Sequence, residues 1–203
     1  SPWAEPACWE TGPGATAEQW NGSEWIAHEP ASPHPPRLRC ELFRRAFDVP
    51  DGPVRRARLY VATPGFFTAW VNDEPVHEVP CDPIPSQSDK RIYYRTIDVT
   101  DSIRGGANVV GLRVASGYYS PAHPTVEHPC PVVRALLRVE LADGSLLTVG
   151  TDGQWLAAED CIELTRTYSK QRGFGNEIWR LDRAGEGSVA PGCGAASGGG
   201  AVC

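Results

Sequence analysis

The chain has 203 residues, 41% hydrophobic and 22% charged, enough for one large β-sandwich or two small domains and too apolar for global disorder. Its net charge of -6 argues against a surface built to neutralise phosphates. Arg37, Arg39, Arg44, Arg45, Arg55, Arg56 and Arg58 are interleaved with apolar and acidic neighbours, so nucleic acid is not an expected partner, and no run of about 18 apolar residues provides a membrane-spanning helix.

In chain order, the first segment is rich in Pro, Gly and Trp and ends in Pro30-Ala31-Ser32-Pro33-His34-Pro35-Pro36. Proline fixes φ and removes a donor, so residues 1–36 are expected to form an irregular N-terminal arm. From residue 37 to 183 the pattern is short strands and turns. Cys40 to Phe47 runs into the Asp51-Gly52 turn. Arg58 to Ala62 and Phe66 to Val71, joined by Thr63-Pro64-Gly65, are predicted to pair as a hairpin. Arg91 to Val99 alternates, with Ile92, Tyr94, Thr96 and Asp98 on one face and Tyr93, Arg95, Ile97 and Val99 on the other. Thr100 or Asp101 is placed to cap one turn through Ile103, stopped by Gly105-Gly106. Asn108 to Val114 and Val132 to Leu141 are strongly apolar strands, and Asp143-Gly144 and Asp152-Gly153 are predicted hairpin turns. The expected fold is therefore all-β, a jelly-roll β-sandwich. Residues 184–203 are mostly Gly, Ala and Ser and read as a tail that is flexible unless its cysteines anchor it.

The chain begins Ser-Pro-Trp and contains no Met, which reads as a mature product whose leader has been removed, and hence a secreted, extracellular protein. Seven cysteines agree with that reading: Cys8, Cys40, Cys81, Cys130, Cys161, Cys193 and Cys203 are all disulfide candidates. At least two bridges are expected within Cys40 to Cys161, and the odd number leaves one thiol over. No CxxC pair occurs, so zinc ribbons and thioredoxin-type centres are not expected. Asn21-Gly22-Ser23 is an N-glycosylation sequon, which makes a glycoprotein the expectation at Asn21.

The order of several short motifs resembles the non-catalytic jelly-roll domain near the N-terminus of bacterial α-L-rhamnosidases. Trp20 with Trp25-Ile26 resembles the entry to that domain, and Arg39 to Phe47 resembles its first core strand. Ala57 to Ala62, then Pro64-Gly65-Phe66-Phe67 and Trp70-Val71-Asn72-Asp73, are similar to its next two strands. Lys90 to Thr100 and Gly106 to Gly111 carry the most similar stretch, and Ala142 to Ser145 and Thr151 to Trp155 match its late turns. The resemblance implies a jelly roll, a polysaccharide context and, in some relatives, a calcium-dependent sugar site. It does not imply turnover, because the family's activity lies in a separate helical barrel.

Catalytic chemistry finds little support in the residues themselves. No Gly-x-Ser-x-Gly elbow is present, and His123, Glu127 and His128 are surrounded by prolines that exclude the helix needed to align them as metal ligands, so a solvated loop is the better reading. Sugar recognition would need rings for pyranose C–H faces and polar groups for hydroxyls. Tyr118 and Tyr119 in a loop, and Trp179 beside Glu177, are the carbohydrate candidates; capping of the sandwich ends is the alternative for each. Trp70 is less easily assigned to the core, and Trp155 is expected to be packing. Asn72 and Asp73, with Glu74, offer hard oxygens for calcium, against the simpler reading of a turn.

The leading expectation is a secreted, non-catalytic module that binds carbohydrate. A structural subunit that self-associates through its terminal segments is a second reading, and an accessory-domain fragment of a larger glycosidase is a third.

Overall fold

The computed structural model describes residues 9–28, 38–117, 131–164, 177–179 and 201–202, with side chains at 9–28, 40–117 and 131–162. Twelve strands follow one another: β1 (Ile26–Ala27), β2 (Leu38–Val49), β3 (Val54–Ala62), β4 (Phe66–Val71), β5 (Glu74–His77), β6 (Tyr94–Asp98), β7 (Gly106–Ala115), β8 (Val132–Leu141), β9 (Leu146–Gly150), β10 (Leu156–Leu164), β11 (Glu177–Trp179) and β12 (Ala201–Val202). They form two six-stranded sheets, and every pairing among the described strands is antiparallel. The first sheet runs β12-β1-β8-β3-β6, with β9 also paired to β8; the second runs β11-β10-β2-β7-β4-β5. The all-β sandwich expected from the pattern is the fold.

Strand period explains which side chains meet between the sheets. Alternate residues of a strand face opposite sides. Along β8, Val133, Ala135, Leu137 and Val139 turn inward; along β3, Ala57, Leu59 and Val61 do so. Phe43 of β2, Phe67 and Val71 of β4 and Val110, Leu112 and Val114 of β7 answer them from the second sheet. Trp155 closes this core, 2% exposed, with its indole N–H donated to the Gly150 carbonyl at 2.9 Å. It is the packing residue the sequence suggests.

Two predicted hairpins are instead crossings between sheets. β3 pairs with β6 and β8, whereas β4 pairs with β5 and β7, so Thr63-Pro64-Gly65 turns a corner. The Thr63 hydroxyl is tied to the Val132 carbonyl, and a Cβ at position 65 would collide with the Ala115 carbonyl oxygen, so only glycine fits. Likewise β9 belongs to the first sheet and β10 to the second, which makes Asp152-Gly153 a crossing. Asp143-Gly144 is a true hairpin turn between β8 and β9, with Gly144 at φ 86°. The turn expected after Val99 is a 3-10 turn over Thr100–Ser102, but its N-cap is Val99 and no side chain caps it. The Thr100 hydroxyl instead bonds Asp98 and the Ala57 amide.

Residues 9–28 are built into the sandwich. β1 pairs with β8 on one side and with β12 on the other. Buried Thr151 fastens this edge: its hydroxyl donates to the Glu24 carbonyl and accepts from the Ala135 amide, and the Glu24 amide bonds the Thr151 carbonyl. Trp20 follows the 3-10 turn Glu18–Trp20 and is 4% exposed.

The disulfide expectation is corrected among the described residues, where no disulfide bond is present. Cys40 and Cys161 are buried in a small cluster with Ile162, packed as apolar side chains, while Cys81 is exposed in the loop after β5. Cys8, Cys130, Cys193 and Cys203 lie outside the residues whose side chains are described.

Candidate functional site

The outer face of the first sheet has a mixed composition that follows from the strand period. On β3 it presents Arg56, Arg58, Tyr60 and Ala62, and on β8 it presents Arg134, Leu136, Arg138 and Glu140. Tyr60, Ala62 and Leu136 form a second apolar cluster outside the main core, and Trp20 covers it. The Trp20 ring meets Tyr94 edge-on, with centroids 5.6 Å apart, and its N–H donates to the Gly14 carbonyl at 2.9 Å. Residues 9–25 thus lie across this face, and a cleft opens on each side of them.

The first cleft is lined by Trp9, Glu10, Arg56, Arg58, Tyr60 and Arg138 among others. Two of its three arginines are ion-paired. Arg56 contacts Glu10 at 2.9 Å and Glu140 at 3.2 Å; Arg58 contacts Glu10, and Asp98 at 2.7 Å. Burial alone would lower the Arg58 pKa, but Glu10 and Asp98 outweigh it and raise it. Burial raises the Tyr60 phenol, with the charge of Glu10 adding to the shift. Arg138 lies over the Tyr60 ring and donates to the Gln19 carbonyl. Trp9, 86% exposed, stands at the rim.

The second cleft has a volume of about 640 Å³ and is floored by Trp20, Trp25, Ile92, Tyr93 and Tyr94. Lys90, Arg91 and Arg134 edge it, with Asp89 the one carboxylate in its lining. Arg134 lies over Trp20, 5.0 Å from the ring centroid. Burial lowers the Arg134 pKa, and its Nε has no hydrogen-bond partner. None of these three cations forms an ion pair among the described residues. Rings for a sugar face and unspent donors for oxygen ligands therefore share one concave site.

The residues singled out from the sequence are only partly described. Tyr118 and Tyr119 lie outside the described residues, as do His123, Glu127 and His128. Glu177 and Trp179 belong to β11, paired with β10, and only their backbone is described. Asn72 and Asp73 are the left-handed pair of the β4–β5 turn, at φ 50° and 68°. The Asn72 amide donates to the Ser102 carbonyl and the Asn108 side chain, and its oxygen accepts from the Val109 N–H, so this side chain locks the turn. Among the described residues no group of three His, Cys, Asp or Glu side chains comes together for a metal. In the sequon, Asn21 donates to the Thr148 hydroxyl, and Ser23 is buried with its hydroxyl on the Trp20 carbonyl. Trp70 is half-buried under the Arg113 guanidinium.

His77, Asp82 and Arg95 form a polar clasp. Buried Asp82 accepts both guanidinium nitrogens of Arg95 and meets His77 Nε2 at 2.9 Å, while Phe67 stacks on the His77 ring. Burial pushes the Asp82 carboxyl up, but Arg95 and then His77 outweigh it and hold it below the ordinary value. With Arg95 on β6 and His77 on β5, the clasp joins the two sheets.

Sequence and fold comparisons converge. The profile of the α-L-rhamnosidase N-terminal domain family matches residues 52–172. An α-L-rhamnosidase of Streptomyces avermitilis is 30% identical over 92% of this chain, yet the chain spans 20% of that enzyme's length. One of Formosa agariphila is 32% identical over 64% of the chain, which spans 15% of it. Among solved structures, the α-L-rhamnosidase of Aspergillus terreus superimposes with a TM-score of 0.64 at 29% identity, covering 73% of this chain and 18% of that one. The Streptomyces avermitilis α-L-rhamnosidase complexed with L-rhamnose superimposes with a TM-score of 0.58 at 32% identity, covering 62% and 13%.

Proposed function

The chain belongs to the α-L-rhamnosidase N-terminal domain family, and from that premise we propose that it is a non-catalytic module that binds carbohydrate in the aromatic cleft beside Trp20. The observation that carries this reading is the meeting of Trp25 and exposed Tyr93 with Lys90, Arg91 and Arg134 in one open cavity. A pyranose needs such a pairing, an apolar surface for its C–H face and charged or neutral donors for its hydroxyl oxygens. The similarity to a rhamnosidase solved with L-rhamnose makes a deoxyhexose or an oligosaccharide containing one the first ligand to try.

Absence of turnover is the second half of the proposal. The chain corresponds to a fifth or less of the length of its rhamnosidase relatives, and the His77–Asp82 pair among the described residues is engaged with Arg95 in joining the sheets. Titration of the 203-residue protein with rhamnosyl oligosaccharides, followed by tryptophan emission, should saturate. Tyr93→Ala should weaken binding by about five- to 150-fold, the equivalent of about 1–3 kcal/mol for loss of a stacked ring face. Unchanged affinity in Tyr93→Ala, or release of rhamnose from an aryl rhamnoside by the purified chain, would reject the reading.

A further inference from the structure

We infer that the aromatic cleft is a site for acidic saccharides, with Arg134 receiving a uronate carboxylate whose sugar ring lies against Trp25 and Tyr93. This inference rests on the carbohydrate reading of the same cleft and adds the ligand's charge.

Three observations lead to it. First, the cleft is locally basic in an acidic protein: Lys90, Arg91 and Arg134 face one carboxylate, Asp89, although the chain as a whole carries a net charge of -6. Second, those cations are unspent. Across the sheet Arg56 and Arg58 are neutralised by Glu10, Glu140 and Asp98, whereas Arg134 has only the Trp20 ring, and its buried Nε lacks a partner. A guanidinium beside a ring and without a carboxylate still has N–H donors to offer a ligand. A carboxylate suits them better than a hydroxyl does, because it can accept two parallel N–H bonds from the guanidinium. Third, Arg134 is held in place from beneath. It lies on β8, over a tryptophan that is itself anchored to Gly14 and Tyr94, so less rotamer freedom remains to be lost on binding. Lys90 and Arg91 are exposed at the rim, where they attract an anion and make the attraction depend on salt.

The test uses two probes with one backbone, a linear tetrauronide and its methyl ester, titrated calorimetrically into the full chain at low salt and at about 0.15 M ionic strength. The acid is expected to bind about tenfold or more tighter than the ester, with the gap narrowing as salt rises. Arg134→Gln should abolish the preference, and Arg91→Gln, an exposed change that leaves the Trp20 packing alone, should reduce it several-fold. If Arg134→Gln does not fold, Arg91→Gln decides. Equal affinity for acid and ester, or a preference that survives in the variants, overturns the inference. If both probes bind equally and lose affinity in Tyr93→Ala, the carbohydrate reading stands without it; if neither probe binds and rhamnosyl oligosaccharides also fail, both fall.

Discussion

The two clefts on the outer face of the first sheet share strands β3 and β8 and are separated by the same N-terminal segment, yet their charges are handled in opposite ways. In one, Arg58 is matched by Glu10 and Asp98 and its pKa is raised despite burial. In the other, Arg134 is matched by an aromatic ring alone and burial lowers its pKa. Paired arginines hold residues 9–11 to the sheet; an unpaired one leaves its donors for something else. The contrast shows that a cleft's chemistry is set by whether its charges are already spent.

The largest effect expected from breaking this arrangement is at Trp20, which separates the clefts and seals the second apolar cluster. Trp20→Ala should cost about 3–5 kcal/mol, the usual range for a buried large aromatic, read from denaturant unfolding. A loss below about 1 kcal/mol would mean that residues 9–25 are not part of the cooperative fold.

Acid should act on the paired side of the molecule and on the clasp. Asp98 is held below its ordinary carboxylate value first by the Thr100 hydroxyl, then, against some burial, by the Thr100 amide and Arg58; Asp82 is held down by Arg95 and His77 against burial. Since the folded values lie below the unfolded 3.8, the stability they contribute is complete above that pH and is lost as pH falls through the folded values. Asp82→Asn and Asp98→Asn should each flatten the acid limb of the stability curve between about pH 4 and pH 2. Identical limbs in wild type and variants would show that neither carboxylate is shifted.

The smallest effect belongs to the exposed ion pairs. Glu10→Gln should cost no more than about 1 kcal/mol and should lose even that at high salt, as surface pairs do. The same change should leave saccharide affinity in the Trp20 cleft unaltered. A tenfold change in that affinity would show that the clefts are coupled through residues 9–25 and not independent.

How much of this was legible varies residue by residue. The packing role of Trp155 and the strands of the apolar runs at 108–114 and 132–141 follow from local sequence, and the order of short motifs points to the family. The site was harder. The sequence points to Tyr118, Tyr119, Glu177 and Trp179, whose side chains lie outside the described residues, and it does not reveal the cleft, which is assembled from Trp20, Trp25, Tyr93 and Arg134, far apart in the chain. A signal was present: Leu59 to Ala62 and Val132 to Leu137 are apolar on both faces apart from Arg134, and a strand apolar on both faces needs cover on both.

Sequence by itself determined the strand class, the hairpin at Asp143-Gly144 and the alternation of Arg91 to Val99, because these depend on local φ/ψ preference and a period of two residues. Tertiary structure decided which strands pair, so that Thr63-Pro64-Gly65 and Asp152-Gly153 carry the chain from one sheet to the other. It also decided which cations keep their donors. Both outcomes depend on contacts between residues tens of positions apart: among the described residues Glu10 reaches Arg58 and no carboxylate pairs with Arg134, a difference that local sequence does not encode.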